Sequence, residues 1–176
     1  MAASDVLARA RVPLGWALGL VALYFARPRP GFFAAGLIFA GIGEAFRLWA
    51  SGHLEKNRRL ATSGPYAMTR NPLYLGSLVI GVGFVLATGR PELAAPLAAL
   101  FLIVYWPVMK READRLREAF PSAYAEYEKR VPLFVPRPVK ASGDGFVWRR
   151  VTENREHVTV LGILMVAVVL AWRLVE

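Results

Sequence analysis

The sequence predicts an all-α polytopic membrane protein with about five transmembrane helices and a cytoplasmic amphipathic helical segment. Three observations carry that expectation. Hydrophobic residues make up 56% of the 176 residues and the mean hydropathy is +0.38, too apolar for an ordinary water-soluble domain. Apolar runs recur at 12–26, 31–50, 72–88, 93–109 and 158–175, each bounded by proline, glycine or charge. The basic residues are lopsided: with the N-terminus and the loops after the second and fourth runs on one side, only Arg27, Arg29, Arg90 and Arg173 of the 22 Lys and Arg fall on the other. This is the positive-inside pattern, which places the N-terminus and the long loops in the cytoplasm of a bacterial inner membrane. It also accounts for the formal net charge of +9 without a nucleic-acid partner.

Taken in order, the first run is short. Spanning needs roughly 20 apolar residues at about 1.5 Å each, so this segment must thin the bilayer, borrow length from Ala8 to Arg11, or sit shallow. Its arginine-led start resembles a signal peptide but lacks a small-residue cleavage site before "ARPRPG", which favours a retained helix. "RPRP" ends the first run and makes a tight hairpin into the second. "TGRPE" does the same between the third and fourth, with Gly89 as the stop and Pro91 near the next start. Beyond the fourth run, Leu116, Phe120, Tyr124 and Tyr127 recur at helical spacing among charges, an amphipathic segment broken near Pro121. It could lie on the membrane surface or fold back over the bundle. "VPLFVPRP" then reads as an extended, proline-stiffened strap.

The chemistry is concentrated ahead of the third run, in "TSGPYAMTRNPLYLGS". Prolines 65 and 72 and glycines 64 and 76 oppose regular helix there, and irregular backbone at membrane depth survives only when buried in protein or lining a wet cavity. Ser63 to Asn71 is therefore expected to line a cavity. The free N–H groups and positive dipole end at Pro72 suit a carboxylate or phosphate. Asn71 fits either a helix cap or a ligand contact. Arg58, Arg59 and Arg70 fit interfacial arginines or anion clamps, and Tyr66 and Tyr74 fit an interfacial aromatic belt or a binding face. Glu112, just past the fourth run, could be solvated. Glu44 and Arg47 lie deep in the second run at i,i+3 spacing, where they must pair or border a polar cavity; that depth makes them candidates for the polar head of a substrate. Cysteine is absent, which excludes thiolate metal ligands and a thiol nucleophile, and His53 and His157 are not in metal-ligand spacing, so no metal is expected. "GVGF" at Gly81 reads as small-residue helix packing, not a nucleotide fingerprint.

"LATSGPYAMTRNPLYLG", followed after one hairpin by "EADRLREAFPSAYAEYEKRVPLFVP", resembles the isoprenylcysteine carboxyl methyltransferase family and its relatives among membrane phospholipid methyltransferases. The family pattern is a Gly-x-Tyr loop, an Arg-His-Pro-x-Tyr-x-Gly helix start, Glu-Glu-x-x-Leu, Phe-Gly-x-x-Tyr-x-x-Tyr and Val-Pro, matched here from Leu60 to Pro136. The resemblance implies a single S-adenosylmethionine-dependent methyltransferase domain over 1–176, with a cofactor-binding core at 60–136 and a connector and last transmembrane helix at 137–176. It places cofactor contacts on Arg58, Arg59, Leu60 and Ala61, on Tyr66, on Asn71, Pro72, Leu73 and Tyr74, and on Glu112. Three positions depart from the pattern: the histidine before proline is Asn71, the second glutamate is Ala113, and Phe-Gly is Phe120-Pro121. Asn71 keeps a hydrogen-bonding side chain at what would be a catalytic position but cannot take up or release a proton as histidine does. The substrate-contacting arginine of the family aligns with Val108, so the substrate does not transfer with the family.

The implied acceptor is lipophilic or amphiphilic and approaches from the bilayer. With no base in view beyond Glu44 or His53, an oxygen or sulfur acceptor such as an isoprenylcysteine-like carboxylate or thiol is favoured over a phospholipid headgroup amine. A non-enzymatic scaffold or transporter subunit is the rival from another class, although the irregular segments cluster at one face and not at the midplane. Five helices suffice to enclose one site, so a monomer is feasible.

Overall fold

A computed structural model describes residues 3–55, 59–139 and 145–176, with side chains from residue 13 onward. The described residues are helical throughout their regular structure, with no strand. Helix α1 (Ala3–Phe25) begins ahead of the first apolar run. Helix α2 (Pro30–His53) and helix α3 (Pro72–Ala87) both start on proline, whose missing N–H costs nothing in a first turn. Helices α4 (Ala94–Leu100) and α5 (Trp106–Ala119) join through a π-helical turn, Phe101–Tyr105. Pro107 explains that turn: it cannot donate back to the preceding turn, and the Trp106 N–H bonds instead to the Phe101 carbonyl five residues back.

The fourth run is thus not a separate span followed by a loop. The helical rod continues from Pro91 to Ala119, and Glu112 sits on it, not beyond it. Among the described residues, three helices are long and apolar enough to cross a membrane, Pro30–His53, Pro91–Ala119 and Glu156–Val175, while Pro13–Phe25 and Pro72–Ala87 are apolar but shorter. The count of about five spans is therefore reduced to three by length, with two shorter apolar helices beside them. Phe120 ends α5 outside the helical region, at φ −136 and ψ 62, consistent with the bar on helical geometry before proline, and α6 (Pro121–Arg130) follows. The short α7 (Trp148–Glu153) precedes α8 (Glu156–Val175).

The tightest seam is α2 against α3. A Cβ on Gly43 would stand 2.8 Å from the Gly76 carbonyl oxygen, and one on Gly83 would stand 2.6 Å from the Gly36 oxygen and from the Ala40 nitrogen. Backbones in a lipid environment can approach this closely only where side chains are missing. The "GVGF" glycines thus pack helices, Gly83 against α2 and Gly81 against Leu97 of α4. At the end of the bundle where α1 and α3 terminate, the two hairpin turns touch: the Arg27 N–H donates to the Thr88 carbonyl, and Gly89, at φ +67, lies against Arg27. Arg90 and Arg173 cap the C-terminus of α1, donating to the Phe25 and Tyr24 carbonyls respectively.

Candidate functional site

The segment ahead of α3 folds as a turn of 3₁₀ helix, Gly64–Ala67, then four residues of open backbone into Pro72. Gly64 has φ +58, and a Cβ there would strike the His53 ring, so both backbone and neighbour require glycine. The strap at 131–139 lies alongside this segment. Arg70 N–H donates to the Pro132 carbonyl, Arg137 N–H to the Met68 carbonyl, and the Thr69 hydroxyl to the Phe134 carbonyl at 2.9 Å. Asn71 holds the cap position, yet its side chain makes no cap; its Nδ2 donates to the Leu133 carbonyl at 2.9 Å. The cap role is thus replaced by a tie to the strap.

These elements enclose a cavity of about 820 Å³, within the range of roughly 300–1,000 Å³ usual for small-molecule sites. Arg47, Arg59, Leu60, Ala61, Tyr66, Asn71, Pro72, Leu73, Tyr74 and Glu112 all line it. Of the other two expected residues, Glu44 stands behind Arg47, 3.6 Å from its Nε and off the cavity wall, and Arg58 lies outside the described residues. Within the cavity the Tyr74 hydroxyl donates to Glu112 Oε1 at 2.8 Å, joining α3 to α5. Tyr74 meets Tyr105 edge to face at 5.6 Å, and Tyr105 stacks on Phe101 at 5.2 Å, so the π-helical turn supplies part of an aromatic wall. π-Helical turns are often retained where they re-aim a side chain in this way.

The amphipathic segment folds back over this cavity. Tyr124 and Tyr127 of α6 are buried against Ala113 and Val131, and the Tyr127 hydroxyl donates to the Tyr66 carbonyl at 2.7 Å. Arg70 and Arg117 flank the Tyr124 ring at 5.6 and 5.7 Å. Arg70 also reaches the Tyr124 hydroxyl and Glu128, which leaves its buried Nε without a partner. Burial pushes the Tyr66 hydroxyl far above its ordinary value, reinforced by Tyr127, Glu112 and Glu156. Burial does the same to Tyr127, with Tyr124 adding to it. Both phenols therefore stay neutral at physiological pH.

Sequence reasoning did not find two residues from the far end of the chain. Asn154 and Glu156, at the α7–α8 corner, also line the cavity. Asn154 Nδ2 donates to the Ser51 and Leu54 carbonyls at the end of α2, and Glu156 takes both its hydrogen bonds from Arg47 Nη2, at 3.1 and 2.8 Å. The only hint available in the sequence was an acidic residue opening an apolar helix. A second cleft of about 220 Å³ runs between α1, α3 and α4, lined by apolar side chains and by Gly15, Gly19 and Gly81. Ser77 and Tyr105 line both spaces, so polar cavity and apolar cleft meet there.

Residues 30–123 match the phospholipid methyltransferase family. The chain is 36% identical over 110 residues to the cobalt-zinc-cadmium resistance protein CzcN of Cupriavidus metallidurans, covering 61% of this chain and 50% of that one. It is 38% identical over 104 residues to the nickel-cobalt-cadmium resistance protein NccN of Alcaligenes xylosoxydans xylosoxydans, covering 58% and 47%. It is 33% identical over 99 residues to the protein-S-isoprenylcysteine O-methyltransferase B of Arabidopsis thaliana, covering 53% and 48%. The chain spans about half the length of these curated relatives. No solved structure matches. The matched stretch takes in more than half the chain and every cavity-lining residue from Arg47 to Phe120, and on that ground the chain belongs to the phospholipid methyltransferase family.

Proposed function

We propose that the protein is an S-adenosylmethionine-dependent methyltransferase acting on a lipophilic or amphiphilic acceptor that reaches the site from the bilayer. The observation that carries this reading is that Ser77 and Tyr105 line both the larger cavity and the apolar cleft, which puts the two spaces side by side. A methyl donor that is polar and charged and an acceptor that is greasy need such a junction.

The residues present fit the donor. When bound, S-adenosylmethionine supplies a methyl group on a positively charged sulfur. Tyr66 and Tyr74 offer aromatic faces to that charge, worth about 0.5–2 kcal/mol each by cation–π attraction. Arg59 suits a carboxylate, and Glu112 suits hydroxyl or amino donors. Leu60, Ala61, Pro72 and Leu73 supply apolar walls around these polar groups, and Asn71 secures the strap that closes one side. Methyl displacement draws mainly on positioning and exclusion of water, which a cavity lined in this way can supply.

Calorimetric titration of the detergent-solubilised protein with S-adenosylmethionine tests the proposal. Saturable binding is expected, and its absence would favour a scaffold or transporter subunit. Incubation with native lipid extract and labelled cofactor, followed by mass spectrometry, identifies the acceptor.

A further inference from the structure

The junction between the two spaces carries a charge arrangement that selects the acceptor. Arg47 is nearly saturated. Its Nη1 donates to the Leu73 carbonyl at 3.1 Å and to Ser77 Oγ at 2.6 Å, and its Nη2 donates to Glu156 and, at 3.3 Å, to Thr159 Oγ1. The remaining N–H, on Nε, is directed to Glu44 at 3.6 Å and has no hydrogen-bond partner. Ser77 spends its own hydrogen on the Leu73 carbonyl. Arg47 therefore has no Nη hydrogen left for an incoming anion. Two buried carboxylates, Glu44 and Glu156, surround this one cation. What the cavity wall still offers there is acceptor capacity on the Glu156 carboxylate, whose oxygens each have lone pairs beyond those taken by Nη2.

The backbone supports a placed role for Glu156. The residue before it, Arg155, has φ 61 and is the one non-glycine residue with positive φ among the described residues. Such a conformation is uncommon for a long side chain and persists where surrounding contacts hold it. Here Asn154 and Glu156 on either side are both tied to α2. The family match ends at residue 123, so this corner is supplied by a part of the chain outside it.

We propose that Glu156 is the catalytic residue that receives the acceptor's hydrogen, and that the acceptor is accordingly an amphiphile bearing N–H or O–H and not an ionised carboxylate. Arg47 is the positioning residue that holds Glu156. This rests on the methyltransferase reading and narrows its substrate class. On sequence alone, the lack of a base in view favours an oxygen or sulfur acceptor. The structure alters that balance, because neither Glu44 nor His53 lines the cavity, whereas Glu156 does. In the step itself, the nucleophile's lone pair bonds to the methyl carbon as the carbon–sulfur bond breaks. Sulfur keeps that electron pair, and the proton shed by the methylated nitrogen or oxygen passes to a Glu156 oxygen.

The test is a pair of calorimetric titrations, dodecylamine and dodecanoate, into the detergent-solubilised protein without cofactor. Wild type should bind the amine at least about tenfold more tightly, since a hydrogen bond to a charged group contributes about 1.5–3 kcal/mol. Glu156→Gln should erase that preference and lower labelled methyl transfer about 10²- to 10⁴-fold. Glu156→Asp should restore part of both. Wild type preferring dodecanoate, or an amine preference that survives Glu156→Gln, overturns the proposal. The wild-type comparison decides even if the variant fails to fold. S-adenosylmethionine binding measured on the same samples separates the two readings. Intact cofactor binding with a carboxylate preference removes only the role of Glu156, whereas no cofactor binding in wild type removes the enzyme reading.

Discussion

Glycine does opposite jobs on the two faces of α3. Toward α2, Gly36, Gly43, Gly76 and Gly83 let two backbones touch, and an added Cβ would meet main-chain atoms of the opposite helix. On the side of α1 the glycines border open space: a Cβ at Gly19 would meet nothing within 4 Å, and one at Gly15 only the Tyr105 hydroxyl at 3.9 Å, whereas Gly81 still packs on Leu97 of α4. The first face is a rigid seam that fixes Arg47 against Leu73 and Ser77; the second is a cleft able to admit a chain. The same residue type in similar apolar sequence thus marks either contact or vacancy, and only the neighbour's distance distinguishes them.

The largest effect should come from breaking the seam. Gly83→Leu or Gly36→Leu forces side-chain atoms into backbone, which no rotamer relieves, so neither variant should purify as a monodisperse protein. Size-exclusion chromatography and thermal unfolding in detergent check this. A well-behaved Gly83→Leu protein would mean the seam is looser than described.

Next in size are the residues of the polar cavity. Tyr74→Ala removes an aromatic face and the hydrogen bond to Glu112, and Glu112→Ala removes the carboxylate itself. Each should weaken S-adenosylmethionine by about tenfold or more, the equivalent of about 1.5–3 kcal/mol for a charged hydrogen bond, with modest change in melting temperature. Unchanged affinity in both variants would count against the cavity as the cofactor site.

Gly19→Phe sharpens the contrast with Gly83→Leu, because it fills space instead of striking a helix. Its melting temperature should stay close to wild type, within roughly 0.5 kcal/mol of stability. Methyl transfer to long-chain acceptors should fall while short-chain acceptors are spared. Equal loss for both chain lengths would show that the cleft does not hold the tail.

The smallest effect belongs to the solvent-facing side of the amphipathic helices. Glu128 is held below its ordinary value chiefly by its hydrogen bond from Arg117. A depressed carboxyl contributes its stability above the ordinary carboxylate value and loses it as pH falls through the lowered one. Glu128→Gln should therefore lower the melting temperature slightly at neutral pH and not at all in strong acid. An effect that persists in acid would assign the contribution to packing and not to charge.

Much of the site could be read from short-range signals. Prolines and glycines between Ser63 and Gly76 cannot continue a helix, which located the cavity's inner wall; the proline-bound strap and the spacing of Tyr124 and Tyr127 were equally local. Other features were not. Asn71 has the composition of a cap, but the Leu133 carbonyl arrived 62 residues later in the chain and took its amide. Glu44 had the depth of a substrate contact, yet helical rotation puts it behind Arg47. The extension of α5 past Lys110 ran against its charge, because the exposed face of that helix reaches water while Val108, Met109 and Ala113 are buried.

The sequence by itself determined that this chain is helical, apolar enough for a membrane, broken ahead of Pro72, and a member of a methyltransferase family. Helix breaking and apolar periodicity act over a few residues and need no partner to be recognised. The tertiary structure alone decided which glycines touch and which stand open, and that Glu156, 109 residues after Arg47, closes the cavity on it. Those outcomes depend on the distance between backbones brought together by packing, a quantity that no local pattern encodes.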